Sequence, residues 1–120
     1  SMTVSIRGAI TVEADDKELI YEATAEMMEE ILKANAIKTD DIVSIVFTAT
    51  DDLTKAYPAV AVRNMGITGA ALMCVQEMKV EGSLRECVRV MVTVEGDYDR
   101  KNLKHAYMRG AQVLRPDLKR

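Results

Sequence analysis

The stretch Cys87-Val88-Arg89-Val90-Met91-Val92-Thr93-Val94 constrains the fold more than any other part of the chain. Valine at every second position marks a strand with one buried face, because side chains alternate across a β-strand. The alternate face carries Cys87, Arg89, Met91 and Thr93. That set is too apolar for a solvated face and too polar for a core. A sheet built on this strand is predicted to pack helices on its valine face and another copy of the chain on the other.

The flanking sequence supplies the helices and further strands. Val4 and Ile6 predict a first strand over Thr3–Ile6, ending at Arg7-Gly8-Ala9. From Lys17 to Asn35, residues Ile20, Ala23, Met27, Ile31 and Ala34 form one helical stripe, with Glu22, Glu26, Glu29 and Lys33 left for water. Asp15 or Asp16 can cap that helix. Ile42–Thr48 is rich in β-branched residues and reads as a second strand. Pro58 opens a second helix that runs to about Met65, with Gly66 as its stop. Ala71–Met78 and Leu84–Val94 read as a hairpin turning at Glu81-Gly82. A third helix is predicted from Arg100 to about Arg109, stopped by Gly110. A last short strand follows over Ala111–Arg115, stopped by Pro116. The order βαβαββαβ within one domain, residues 1–120, predicts an α+β fold: a mixed sheet with helices on one face.

Composition narrows the function. Lys plus Arg is 16 and Asp plus Glu is 19, a mildly acidic balance that argues against nucleic-acid binding. No apolar run approaches the ~18 residues of a membrane span. The N-terminus has no basic segment followed by an apolar run, so a cytoplasmic protein is expected. Ser1 ahead of Met2 reads as an expression remnant. Cys74 and Cys87 are expected to be free thiols. A single histidine, His105, excludes a metal site built on several imidazoles. Neither a Gly-rich phosphate loop nor a Gly-x-Ser-x-Gly elbow is present, which disfavours nucleotide enzymes and serine hydrolases.

The hairpin reading sets a register. With Val80 facing Ser83, Cys74 lies opposite Arg89 and Gln76 opposite Cys87. Glu77 then falls on the valine face, a costly place for a charge, so the strand is expected to break near Gln76. Taken singly, Arg89 fits an interface ion pair as well as a ligand contact, and Arg7 is equally open. Glu77 fits a solvated strand end, Arg63 a helix surface, Tyr107 a core or rim aromatic, and Cys74 packing. His105 reads as a surface helix residue without a role.

Five segments in order carry a resemblance. They are Arg7-Gly8-Ala9 with Thr11-Val12-Glu13; Pro58-Ala59 with Ala61-Val62-Arg63; Cys74-Val75-Gln76-Glu77-Met78; Cys87-Val88-Arg89-Val90-Met91; and Tyr107 ahead of Val113-Leu114-Arg115-Pro116-Asp117-Leu118. Together, from about Ile6 to Leu118, the chain resembles the monofunctional chorismate mutases of the AroH class. That resemblance implies the Claisen rearrangement of chorismate to prephenate, on the route to phenylalanine and tyrosine. It also implies a homotrimer with a barrel-like core, active sites between subunits, and no cofactor.

Position by position, the resemblance implies that Arg89 contacts the ether oxygen of the breaking bond and Glu77 binds the ring hydroxyl, with Cys74 near it. Arg7 and Tyr107 would hold substrate carboxylates; Arg63 and Arg115 would be cleft arginines, and Leu114 would complete the substrate-binding set. Tyr57 stands where the family often has Phe, and Val60 where a lysine is often found. Arg115 would lie in a closing segment shortened by the end of the chain at Arg120. Two other readings share the architecture: a trimeric module that binds an anionic metabolite without converting it, and an imine deaminase. The Cys-x-Gln-Glu-Met and Cys-x-Arg-x-Met segments favour the mutase over both.

Overall fold

The computed structural model describes residues 1–115. Seven regular elements follow in order: β1 (Met2–Thr11), α1 (Lys17–Ala34), β2 (Ile42–Ala49), α2 (Ala59–Asn64), β3 (Ala71–Gln76), β4 (Cys87–Gly96) and β5 (Ala106–Met108). Single 3-10 segments cover Thr39–Asp41, Arg100–Asn102 and Arg109–Leu114. The five strands form one mixed sheet in the order β3-β2-β4-β1-β5. Strand β4 is antiparallel to both β1 and β2, whereas β3 runs parallel to β2 and β5 parallel to β1. The α+β fold with a mixed sheet is as expected.

The valine face is the core. Val88, Val90, Val92 and Val94 are buried beside Ile6 and Ile10 of β1 and Ile45 and Phe47 of β2. Ile20, Ala23, Met27 and Ile31 of α1 cover them, following the predicted stripe. Asp16 caps α1 by accepting from the Leu19 N–H at 3.0 Å. Asp15 serves elsewhere, accepting from the Thr54 hydroxyl and from the Thr54 and Lys55 N–H groups.

The hairpin is the main correction. Strands β3 and β4 are not neighbours, because β2 lies between them. Cys74 pairs with Phe47, and Arg89 pairs with Thr48 and Ala9, so the expected Cys74–Arg89 and Gln76–Cys87 pairings do not form. The turn itself is real: the Ser83 N–H donates to the Val80 carbonyl at 3.0 Å, and Gly82 takes φ +78°. A turn signal fixes a reversal of the chain without fixing which strands pair. Here β4 buries both its edges against the longer β1 and β2, which six-residue β3 could not match.

The second correction lies at the C-terminal end. In place of a helix over Arg100–Arg109 stands one 3-10 turn and then β5, and Ala111–Arg115 is largely 3-10 rather than strand. The cap signal was sound, since Asp99 accepts from the Lys101 N–H. The helix cannot propagate because Asn35, at the end of α1, captures both the N–H and the carbonyl of Lys104. The first strand also runs longer than expected, to Thr11, through Gly8. The Pro116 stop and the closing segment beyond it lie outside the described residues.

Candidate active site

The second sheet face carries the charged residues. Its cross-strand rows place Arg7 level with Met91, Val46 and Met73, and Ala9 level with Arg89, Thr48 and Val75. Arg7 and Arg89 are therefore diagonal neighbours on adjacent strands. The row is largely apolar yet open, with Met73 59%, Met91 46% and Val75 43% exposed.

Glu77 joins Arg89 because β3 pairs with β2: Met73 and Val75 lie on the Arg89 face, and alternation carries Glu77 to the same side. The strand ends at Gln76, and the Glu77 N–H donates to the Ala49 carbonyl at 2.9 Å. Its carboxylate accepts a hydrogen bond from the Thr48 hydroxyl. The other oxygen lies 3.9 Å from Arg89 Nη1, an ion pair too long for a hydrogen bond. The expected conflict over Glu77 comes from the hairpin register, and the observed pairing removes it: Glu77 lies on the Arg89 side by alternation, and β3 ends at Gln76 all the same.

Tyr107, expected on a helix, lies on β5 level with Ala9 and is 7% exposed. Among the described residues its buried hydroxyl has no hydrogen-bond partner, an unmet demand that a ligand oxygen could satisfy. Tyr107, Ala9, Cys87 and Ala111 form a small cluster under the C-terminal 3-10 segment, against which Leu114 packs. Arg115 follows that segment, half-buried. Arg7, Glu77, Arg89, Tyr107 and Leu114 are accordingly drawn to one face.

Cys74, Tyr57 and Arg63 are not drawn there. By its pairing with Phe47, Cys74 belongs to the helix side, where the three residues line a cleft of about 260 Å³ with Ala59, Leu72 and Met73. Tyr57 and Cys74 also border an adjoining cleft of about 540 Å³ that reaches Lys55 and Tyr21. Tyr57 is 72% exposed. Both cysteines are free, as expected.

Four contributors escaped sequence reasoning. Thr48 reads as an ordinary β-branched strand residue. His105 is on no helix; its Nδ1 accepts from the Arg7 N–H at 2.9 Å and tethers the middle of β1 at Arg7. Asp52 accepts from the Glu86 N–H and the Thr50 hydroxyl and pairs with Arg85 at 3.2 Å. With Asp51 bound to Lys79 at 3.1 Å, it ties the segment between Glu77 and Cys87 to the end of β2. Only the Asp-Asp pair after a strand hinted at this.

The family model of chorismate mutase type I matches residues 3–118. Chorismate mutase AroH of Bacillus subtilis (strain 168) is 42% identical over 118 residues, covering 98% of this chain and 93% of that protein. Chorismate mutase AroH of Thermus thermophilus is also 42% identical over 118 residues, covering 98% and 97%. The solved structure of a chorismate mutase from Clostridium thermocellum superposes with a TM-score of 0.90 at 47% identity, over 92% of this chain and 98% of that one. At this identity and coverage, and with Glu77 and Arg89 meeting at the end of β3, the chain belongs to the type I chorismate mutase family.

Proposed function

We propose that the protein, as one chorismate mutase domain, rearranges chorismate to prephenate. The observation that carries this is the Arg89 guanidinium, next to Glu77 but free of a close hydrogen bond to it, on the sheet face that also holds Tyr107, whose hydroxyl has no hydrogen-bond partner among the described residues. The reaction is pericyclic and needs neither nucleophile nor proton relay. It needs a substrate held in a compact diaxial chair and a positive group facing the ether oxygen as charge develops there. Arg89 supplies that group. Glu77 accepts the ring hydroxyl, while Arg7 and Tyr107 hold the substrate carboxylates.

The site is completed in a homotrimer. Tyr57, Arg63 and Cys74 line a cleft away from the Arg89 face. A neighbouring copy packed against that face brings its own Tyr57 and Arg63 to the substrate, while Leu114 and Arg115 approach from the C-terminal segment. The exposed Met73, Val75 and Met91 support such packing. The free thiols of Cys74 and Cys87 fit the cytoplasm. Among the described residues, no helix is long and apolar enough to cross a membrane.

The test is loss of chorismate absorbance with purified protein and no added cofactor. Arg89→Ala is expected to lower turnover by roughly two to three decades, the usual cost of removing one well-placed donor. Arg89→Lys keeps the charge, loses the fork and should also be poor. Binding of chorismate without turnover would instead support the metabolite-binding module.

A further inference from the structure

We infer that the Thr48 hydroxyl is a positioning group that holds Glu77 clear of Arg89, leaving the guanidinium free for substrate. The inference rests on the roles proposed above for Arg89 and Glu77. Thr48 is the cross-strand partner of Arg89 on one side and of Val75 on the other, so its side chain stands between Arg89 and the end of β3. Its hydroxyl donates to Glu77 Oε1, while the Ala49 carbonyl fixes the Glu77 backbone at 2.9 Å. Glu77 Oε2 is thereby left 3.9 Å from Arg89 Nη1.

That distance is the functional point. Arginine and carboxylate this close normally collapse into a short, charge-assisted, often bidentate pair. A collapsed pair would use the donors that the ether oxygen needs and offset the positive field around them. One oxygen engaged by Thr48 gives Glu77 a competing donor, so the carboxylate keeps its place for the ring hydroxyl. The hydroxyl is what matters here, since valine would fill the same β-branched position in a strand equally well.

The experiment compares Thr48→Val and Thr48→Ser in the full chain, with kcat and KM from chorismate absorbance, thermal melting, and Arg89→Ala as control. Thr48→Val is expected to lower kcat roughly ten- to a hundredfold, the scale of a lost hydrogen bond to a charged group. KM should stay within about threefold, because the loss falls on the transition state rather than on uniform binding. Melting should change little, and Thr48→Ser should restore kcat to within about threefold of the parent. Thr48→Ala reads the same effect if valine crowds the strand. Unchanged kcat in Thr48→Val beside an inactive Arg89→Ala overturns this inference and leaves the site reading intact. Equal damage by serine and valine, or loss of the fold in both Val and Ala variants, makes Thr48 a packing residue and overturns it too. An active Arg89→Ala overturns the site reading beneath it.

Discussion

Cys87 and Arg89 stand two places apart on one face of β4, and their surroundings give them opposite chemistry. Arg89 is 38% exposed at its side chain and faces the site. Cys87 is 2% exposed within the cluster of Ala9, Tyr107 and Ala111. Burial lifts its thiol from 9.0 to about 11, against the pull of the Arg89 guanidinium. At neutral pH it is a protonated packing group, not a nucleophile. The folded state therefore holds the Cys87 proton more tightly than the unfolded chain does. Its stabilising effect is fully present below pH 9 and is lost as pH rises toward about 11. The loss amounts to at most roughly 2–3 kcal/mol, from a shift of about two pKa units. Melting curves across that window should fall more steeply for the parent than for Cys87→Ala, with lysine and tyrosine titration common to both. Parallel slopes would refute the assignment.

At the scale of elements, Gly8 shows how closely β1, β4, β5 and α1 converge. A Cβ there would meet Ile31 Cδ1 at 2.9 Å, the Ala106 carbonyl at 3.0 Å and Val90 Cγ1 at 3.2 Å. The Ile31 methyl can swing away, but the Ala106 oxygen belongs to β5 and moves only with that strand. Gly8→Ala should cost roughly 1–3 kcal/mol by overpacking, read as a lower melting temperature. It should also lower activity by shifting Tyr107, the next residue of β5; unchanged melting and activity would show that the strands have slack. The same crowding explains what the sequence could and could not convey. Periodicity located α1, β2 and both faces of β4; β3 does end at Gln76 as expected, but the reason, a charge among valines, fell with the hairpin register. Pairing partners and β5 were not legible. Three residues are too few to show alternation, and the contact that stops a helix at Lys104 comes from Asn35, far away in sequence. Tyr107 and His105 owe their place in the site to that distant contact.

For the whole molecule, the homotrimer proposed above would join two halves of a site that one subunit holds on different faces. The helix side buries a full core, whereas the sheet's second face leaves Met73, Val75 and Met91 in solvent beside two arginines. The chain carries a net charge of −3, so a dianionic substrate is repelled at long range and must be captured by local positive charge. Arginines gathered where copies meet act in a drier setting than on one subunit's surface, and each is worth more there. Assembly and activity should then fail together. Met91 lies level with Arg7 and Val46 in the middle of the exposed face, and has no proposed contact with substrate. In the proposed trimer a lysine in its place would set three cations around one axis, where interfaces are depleted of charge. Sedimentation should give the parent a mass near three times 13.3 kDa and Met91→Lys a single-chain mass, with a circular dichroism spectrum still folded. Turnover in the variant should fall by roughly two decades or more, the scale of losing a charged donor from the site. Raising protein concentration should restore turnover in step with the trimer fraction. A Met91→Lys protein that remains trimeric and active would move the interface away from this face, and with it the joining of the two half-sites.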